Sequence, residues 1–210
     1  MIDTVKTLCE KFYEPRGVVK DSFLETPVDF GIKRQRERIY MICDYALKQD
    51  NSYDVLQIGC GNGRVSNILG EIVSRHDKTL TCIDPFNTLK TVSGSEKRTQ
   101  NYYEFLNNTR AFGDRVHVHM ENSNTEMSDA LIQLIEYSFV YIDGKSSYDA
   151  HANDIYLASR KNKGFGIICL DNLRVDGKKQ YMLDLYQDMI NKYGFGYYWN
   201  QGQREGYLFT

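Results

Sequence analysis

From residue 53 onward the sequence alternates short apolar runs with longer stretches of helical period, and no other feature narrows the fold as far. The runs are "YDVLQI", "TLTCID", "RVHVHM", "FVYIDG" and "GFGIICLDN". Between and after them come "RVSNILGEIVSR", a longer insert ending in a helix near Glu96 to Phe112, "EMSDALIQLIE", "YDAHANDIYLASRK" and "KKQYMLDLYQDMIN". Near-continuous apolar runs suit strands covered on both faces, and strands separated by helices pair in parallel. The tail "GFGYYWNQGQREGYLFT" breaks the rhythm, because two aromatic strands around Gly202 to Arg204 read as an antiparallel hairpin. The expected fold is therefore α/β: a doubly wound, mostly parallel seven-stranded sheet closed by a C-terminal antiparallel hairpin.

Two helical segments precede this core. Ile2, Val5, Leu8, Cys9 and Phe12 fall at helical spacing, and a second helix is predicted from about Ile32 to Leu47 with Ile39, Ile42, Tyr45 and Ala46 facing inward. The charge run "KRQRER", Lys33 to Arg38, reads as the wet side of that helix, with contact to an anionic substrate as the alternative. With 210 residues the chain suits one domain, in which residues 1–50 form an N-terminal helical segment and residues 51–210 the main body.

A formal charge of −2 gives no general attraction to nucleic acid or to an acidic membrane. Cys9, Cys43, Cys60, Cys82 and Cys169 lack metal-type pair spacing and read as reduced, mostly buried thiols. The start "MIDTVKTLCEKFYEP" has no basic stretch followed by an apolar one, so a cytoplasmic location is expected.

The first apolar run leads into "VLQIGCGNGRVS", which places Gly59, Gly61 and Gly63 at alternate positions after a buried strand. Without Cβ atoms such a loop lets the backbone approach a flat polar ligand, and in an open α/β sheet ligands bind beyond the carboxyl ends of the strands. A dinucleotide fingerprint would need a further glycine at position 64, which is Arg64. Instead an acid, Asp84, ends the next strand in "TCIDPF", where a carboxylate can accept both hydroxyls of a ribose.

These motifs, with the strand and helix order around them, resemble motifs I and II of the class I S-adenosylmethionine-dependent methyltransferases from about residue 38 onward. The resemblance implies that Gly59, Cys60, Gly61 and Gly63 pass under the methionine and ribose of the cofactor and that Asp84 holds the ribose. It also implies that Asn122 and Ser123, in "MENSNTEM", meet the adenine edge, and that Asp143 contacts cofactor or substrate. The main body is then the cofactor-binding catalytic domain, and the N-terminal segment a cover over the substrate.

Two further strands end in acids: "FVYIDGKSSYDAH" supplies Asp143, and "GIICLDNLRVDGK" supplies Asp171 followed by Asn172. In the methyltransferase strand order these strands are neighbours, roughly 4.8 Å apart. Two carboxylates and an amide oxygen there suit a hard divalent cation such as Mg²⁺, Mn²⁺ or Ca²⁺. The set looks like the metal-dependent O-methyltransferases of the catechol and caffeoyl-CoA type, and Gly177 fits the same pattern. The spacing of "IDGKSSY" is closer to the macrocin-type sugar O-methyltransferases, although Lys145 and Ser146 stand where that group has Asp-His. Lys145 is the candidate general base beside Asp143, with capping of the following helix as the structural alternative for Asp143.

His117 and His119 read as surface histidines on the third strand, and His151 as a helix-surface residue. Tyr148 and Trp199 are candidates for a pocket wall. The expected activity is transfer of a methyl group to a hydroxyl of a small molecule, either a sugar, a polyketide-like compound or a catechol. Metal-independent transfer on the same fold and a non-catalytic cofactor-binding module stay open as alternatives. No nucleic-acid or membrane partner is expected, and a homo-oligomer is compatible with the sequence.

Overall fold

The computed structural model describes residues 1–11, 30–50, 52–86, 95–144, 147–171, 180–199 and 205–209. Helices α1 (Ile2–Lys11) and α2 (Phe30–Gln49) precede β1 (Asp54–Ile58), α3 (Arg64–Arg75) and β2 (Leu80–Ile83). Then come α4 (Ser95–Thr109), a 3₁₀ segment (Arg110–Arg115), β3 (Val116–His119), α5 (Glu126–Leu134), β4 (Tyr137–Ile142), α6 (Tyr148–Lys161) and β5 (Asn162–Leu170). The described elements end with α7 (Gln180–Tyr193), β6 (Gly196–Trp199) and β7 (Gly206–Phe209). The seven strands form one sheet in the order β3-β2-β1-β4-β5-β7-β6. Strands β1 to β5 pair in parallel, whereas β7 runs antiparallel to both β5 and β6. The predicted hairpin thus exists, but its second strand lies between β5 and the first.

Every residue of β2, β4 and β7 is buried, as the continuous apolar runs require. Because successive side chains leave a strand on opposite faces, each run feeds two cores. Val55, Cys82, Phe139, Tyr141, Ile167 and Cys169 pack with α1, α2 and α3 through Val5, Ile39, Ile42, Leu69 and Ile72. Leu56, Ile58, Val140, Ile142, Ile168 and Leu170 pack on the other face with α5, α6 and α7 through Ile132, Ile155 and Leu185. All five cysteines are free and buried. Among the described residues no helix is long and apolar enough to cross a membrane.

Two sequence expectations fail in instructive ways. The run "KRQRER" is not simply a wet face: Gln35 and Arg38 are each only 5% exposed. Arg38 forms an ion pair with Glu205, which is fully buried just before β7. Burial works against the Arg38 guanidinium, but the Glu205 hydrogen bond and charge outweigh it and raise its pKa; burial pushes the Glu205 carboxyl up, with Arg38 drawing it back. His151 is also no surface residue: it is 1% exposed, with Nδ1 3.1 Å from the Ser147 carbonyl. Its helical turn shares a face with Asp154, Ile155 and Ala158, and that face packs on the sheet. His117 is exposed and His119 half-buried; burial first, then His117, lowers the His119 pKa.

Candidate active site

The strands extend their pairing by one residue at their carboxyl ends, and this brings the candidate residues to one edge. The Gly59 amide donates to the Ile83 carbonyl (2.9 Å), and Asp84 to that of His119 (3.1 Å). The Asp143 amide donates to the Ile58 carbonyl (2.8 Å), and Asp171 to that of Ile142 (3.0 Å). Gly59, Asp84, Asp143 and Asp171 consequently border a single cleft of about 310 Å³.

The glycines are required by conformation and space. Gly59, Gly61 and Gly63 have φ of +82°, +50° and +79°, all left-handed. A Cβ on Gly59 would stand 2.2 Å from the Asp143 carbonyl oxygen, and one on Gly63 would stand 2.9 Å from the Cα of Phe105. Gly61 differs, since nothing lies within 4 Å of its Cβ position. The loop therefore locks onto β4 at Gly59, packs against α4 at Gly63, and opens to the cleft at Gly61.

Asp84 secures this loop. Its Oδ2 accepts from the amides of Cys60 (2.8 Å) and Gly61 (2.9 Å), and its Oδ1 from the Phe86 amide (2.8 Å). The Cys60 side chain is buried beneath, with burial the first cause of a thiol pKa pushed well up, so it serves as packing rather than as a nucleophile. Gln57, a polar residue in a buried strand, donates to the Gly59 carbonyl (3.1 Å) and accepts from Ser66 Oγ (2.8 Å). It ties β1 to α3.

Asp171 is buried, and its carboxylate is held on both oxygens: Gln35 donates to Oδ1 (2.7 Å) and Tyr141 to Oδ2 (3.0 Å). Burial, then Asp171 and Asp143, push the Tyr141 hydroxyl well up, so it stays a proton donor. At the start of α6 the Ser147 Oγ accepts from the Ala150 amide (3.4 Å). Lys145, Asn172 and Gly177 lie outside the described residues, as does the Trp199 side chain. Tyr148 sits away from the cleft and donates to Asp188 (2.6 Å) on α7. Among the described residues no group of three or more His, Cys, Asp and Glu side chains is placed to hold a metal ion.

Asn122 and Ser123 sit one strand further out and do not border the cleft. The Asn122 carbonyl accepts from the Thr125 amide (3.2 Å), Thr125 Oγ1 (3.0 Å) and Ser128 Oγ (2.8 Å), which fixes the turn into α5. Ser123 lies beside Asp154, a carboxyl on α6 that is 2% exposed. Burial raises its pKa to about 6, against the influence of the Ser123 hydroxyl.

Helix α2, whose charge run reads first as a wet face and alternatively as a contact for an anionic substrate, contributes to the cleft. Gln35, Arg36 and Ile39 line the cleft, together with Arg64 and Val65 from α3. The spacing of Gln35, Ile39, Ile42 and Ala46 on one helical face was the available signal.

A parallel sheet of this strand order, with antiparallel closing strands and a glycine loop after β1, defines the class I S-adenosylmethionine-dependent methyltransferase fold. The methyltransferase domain family matches residues 56–173, more than half of the chain, and the chain belongs to that family. Among solved structures it is similar to an O-methyltransferase from Bacillus cereus in complex with S-adenosylhomocysteine, at 12% identity and TM-score 0.57, over 99% of this chain and 89% of that one. It is similar to the Podospora anserina methyltransferase PaMTH1, at 13% identity and TM-score 0.62, over 99% and 94% of the two chains. It also resembles CalS11, a TDP-rhamnose 3'-O-methyltransferase of calicheamicin biosynthesis, at 10% identity and TM-score 0.56, over 97% and 93%. No curated protein sequence matches significantly.

Proposed function

We propose that the protein transfers a methyl group from S-adenosylmethionine to a hydroxyl of a small molecule such as a sugar, a polyketide-like compound or a catechol. The observation that carries this reading is the convergence of the Gly59–Gly61 loop, Asp84, Asp143 and Asp171 on one cleft. The space above Gly61 fits the cofactor, since a side chain there would project into the opening. S-adenosylmethionine supplies a methyl group already activated as a sulfonium, so the chain's task is to align the acceptor oxygen and remove its proton. In this reading Gly59, Cys60, Gly61 and Gly63 provide the floor, and Asp84 takes the ribose hydroxyls while remaining bonded to the loop amides. Asn122 and Ser123 flank the adenine end, Asp143 faces the reacting groups, and Lys145 accepts the acceptor's proton. Residues 1–50 cover the acceptor, in keeping with the place of Gln35 and Arg36 in the cleft wall.

A divalent cation fits the donor chemistry in one respect. Asp143 and Asp171 end neighbouring strands, and the hydrogen bonds that Gln35 and Tyr141 give Asp171 are of the kind that orient a ligating carboxylate while leaving it further lone pairs. Mg²⁺, Mn²⁺ or Ca²⁺ held by Asp143, Asp171 and Asn172 would supply Lewis acidity to an acceptor hydroxyl. The same two hydrogen bonds also satisfy Asp171 without an ion, and so favour a metal-free version as the second reading.

Calorimetry with S-adenosylhomocysteine, followed by a methyl-transfer screen across sugars, polyketides and catechols, tests the reading. Binding with turnover on one of these classes is expected. Absence of cofactor binding would overturn the reading, and binding without transfer to any hydroxyl would favour a binding module. Exhaustive chelation should reduce turnover at least tenfold if the cation acts; undiminished turnover leaves the metal-free version.

A further inference from the structure

We propose that Arg36 and Arg64 form an oxyanion-binding subsite in the cleft, taking a carboxylate or phosphate carried by one of the two reactants; this rests on the functional reading above. Arg36 reaches the cleft from α2 and Arg64 from the first position of α3, directly after Gly63. Arg36 is half-buried. Burial, and then the Arg64 charge, lower its pKa, so the two guanidiniums are close enough to repel.

Tyr141 offsets this in part for Arg36, but among the described residues neither arginine forms an ion pair or has a hydrogen-bonding side-chain partner. Two of the three acids that border the same cleft are directed elsewhere. Asp84 is taken by three backbone amides, and Asp171 by Gln35 and Tyr141. Two arginines that line one cleft, Arg36 half-buried and Arg64 at its exposed side, are arranged for an anion that arrives with a ligand. Guanidinium groups bind carboxylate and phosphate through paired N–H donors, which also fixes the orientation of the group.

The anion has two sources, the amino-acid carboxylate of the cofactor or an acidic group on the acceptor. The experiment is calorimetric binding of S-adenosylhomocysteine, 5'-methylthioadenosine, which lacks the amino acid, and inorganic phosphate to the full chain and to R36Q, R36K and R64Q. Thermal melts confirm folding; Arg64 is exposed, which keeps R64Q usable if the Arg36 variants are unstable. A loss of about 10- to 100-fold in S-adenosylhomocysteine affinity in the glutamine variants, with 5'-methylthioadenosine unchanged and R36K intermediate, supports the subsite and assigns it to the cofactor. Unchanged S-adenosylhomocysteine affinity, with phosphate bound by the loaded wild type and lost in R36Q or R64Q, supports it and assigns it to the acceptor. Any pattern in which R36Q and R64Q leave both affinities unaltered, or weaken both nucleosides equally, overturns it. Failure of the wild type to bind either nucleoside would instead remove the functional reading itself.

Discussion

Replacing Asp154 by asparagine should change how stability depends on pH, by an amount that follows from where the carboxyl sits. The side chain is buried on the face of α6 that packs on the sheet, and its Oδ1 has no hydrogen-bond partner. Its Oδ2 lies 3.0 Å from where a Cβ on Gly144 would stand, at the end of β4. Burial raises its pKa from 3.8 to about 6, and at about 1.36 kcal/mol per pH unit the ionised form costs the folded protein about 3 kcal/mol. The sign follows from linkage. Between pH 3.8 and about 6 the native state binds more protons at this site than the unfolded chain, so stability falls as pH rises through that window. Below it both states are protonated and the cost vanishes; above it the full cost applies. Wild type should therefore lose about 1.3 kcal/mol relative to D154N between pH 5 and pH 7. Urea denaturation of both proteins at half-unit intervals reads this difference directly. The slope of the difference is the decisive quantity, because a buried amide carries its own desolvation cost, which is independent of pH. A flat difference across the range would refute the reasoning.

Gly59→Ala should destabilise by about 3 kcal/mol or more, since it combines a left-handed φ with a collision against the Asp143 backbone. Gly61→Ala should cost only about 1 kcal/mol in chemical denaturation yet impair cofactor binding, because its Cβ enters open space in the cleft. Arg38→Met should cost about 3–5 kcal/mol by leaving Glu205 buried and unpaired, whereas the double variant R38M/E205Q should recover at least half of that loss. Equal stability of the single and double variants in urea melts would show that the pair is not coupled.

The sheet was readable because parallel strands covered on both faces need unbroken apolar runs, and β4 and β5 supply them. The glycine loop was readable because left-handed backbone at alternate positions after a strand leaves few other residue choices. What resisted reading was polar burial. Arg38 and Gln35 sit among charged neighbours, so their composition suggested water, although their spacing with Ile42 and Ile39 pointed inward. Their partners, Glu205 and Asp171, are 167 and 136 positions away, and no local pattern announces such a pairing. His151 failed for the same reason, because side-chain polarity was weighed above its place on the face it shares with Ile155 and Ala158. The position of β7 was invisible as well, since a hairpin signal gives pairing but not which of its strands meets the sheet.

That last strand has a consequence for how the molecule is assembled. Residues 206–209 fill the gap between β5 and β6, so until they arrive β6 has no neighbour to hydrogen-bond and one side of β5 stays bare. Glu205, which clamps Arg38, arrives in the same step. A partly folded chain lacking this insertion would present an open, apolar ladder of unpaired amides, inviting intermolecular zippering. Insertion of β7, rather than formation of the glycine loop, is then the moment at which the sheet becomes safe from self-association.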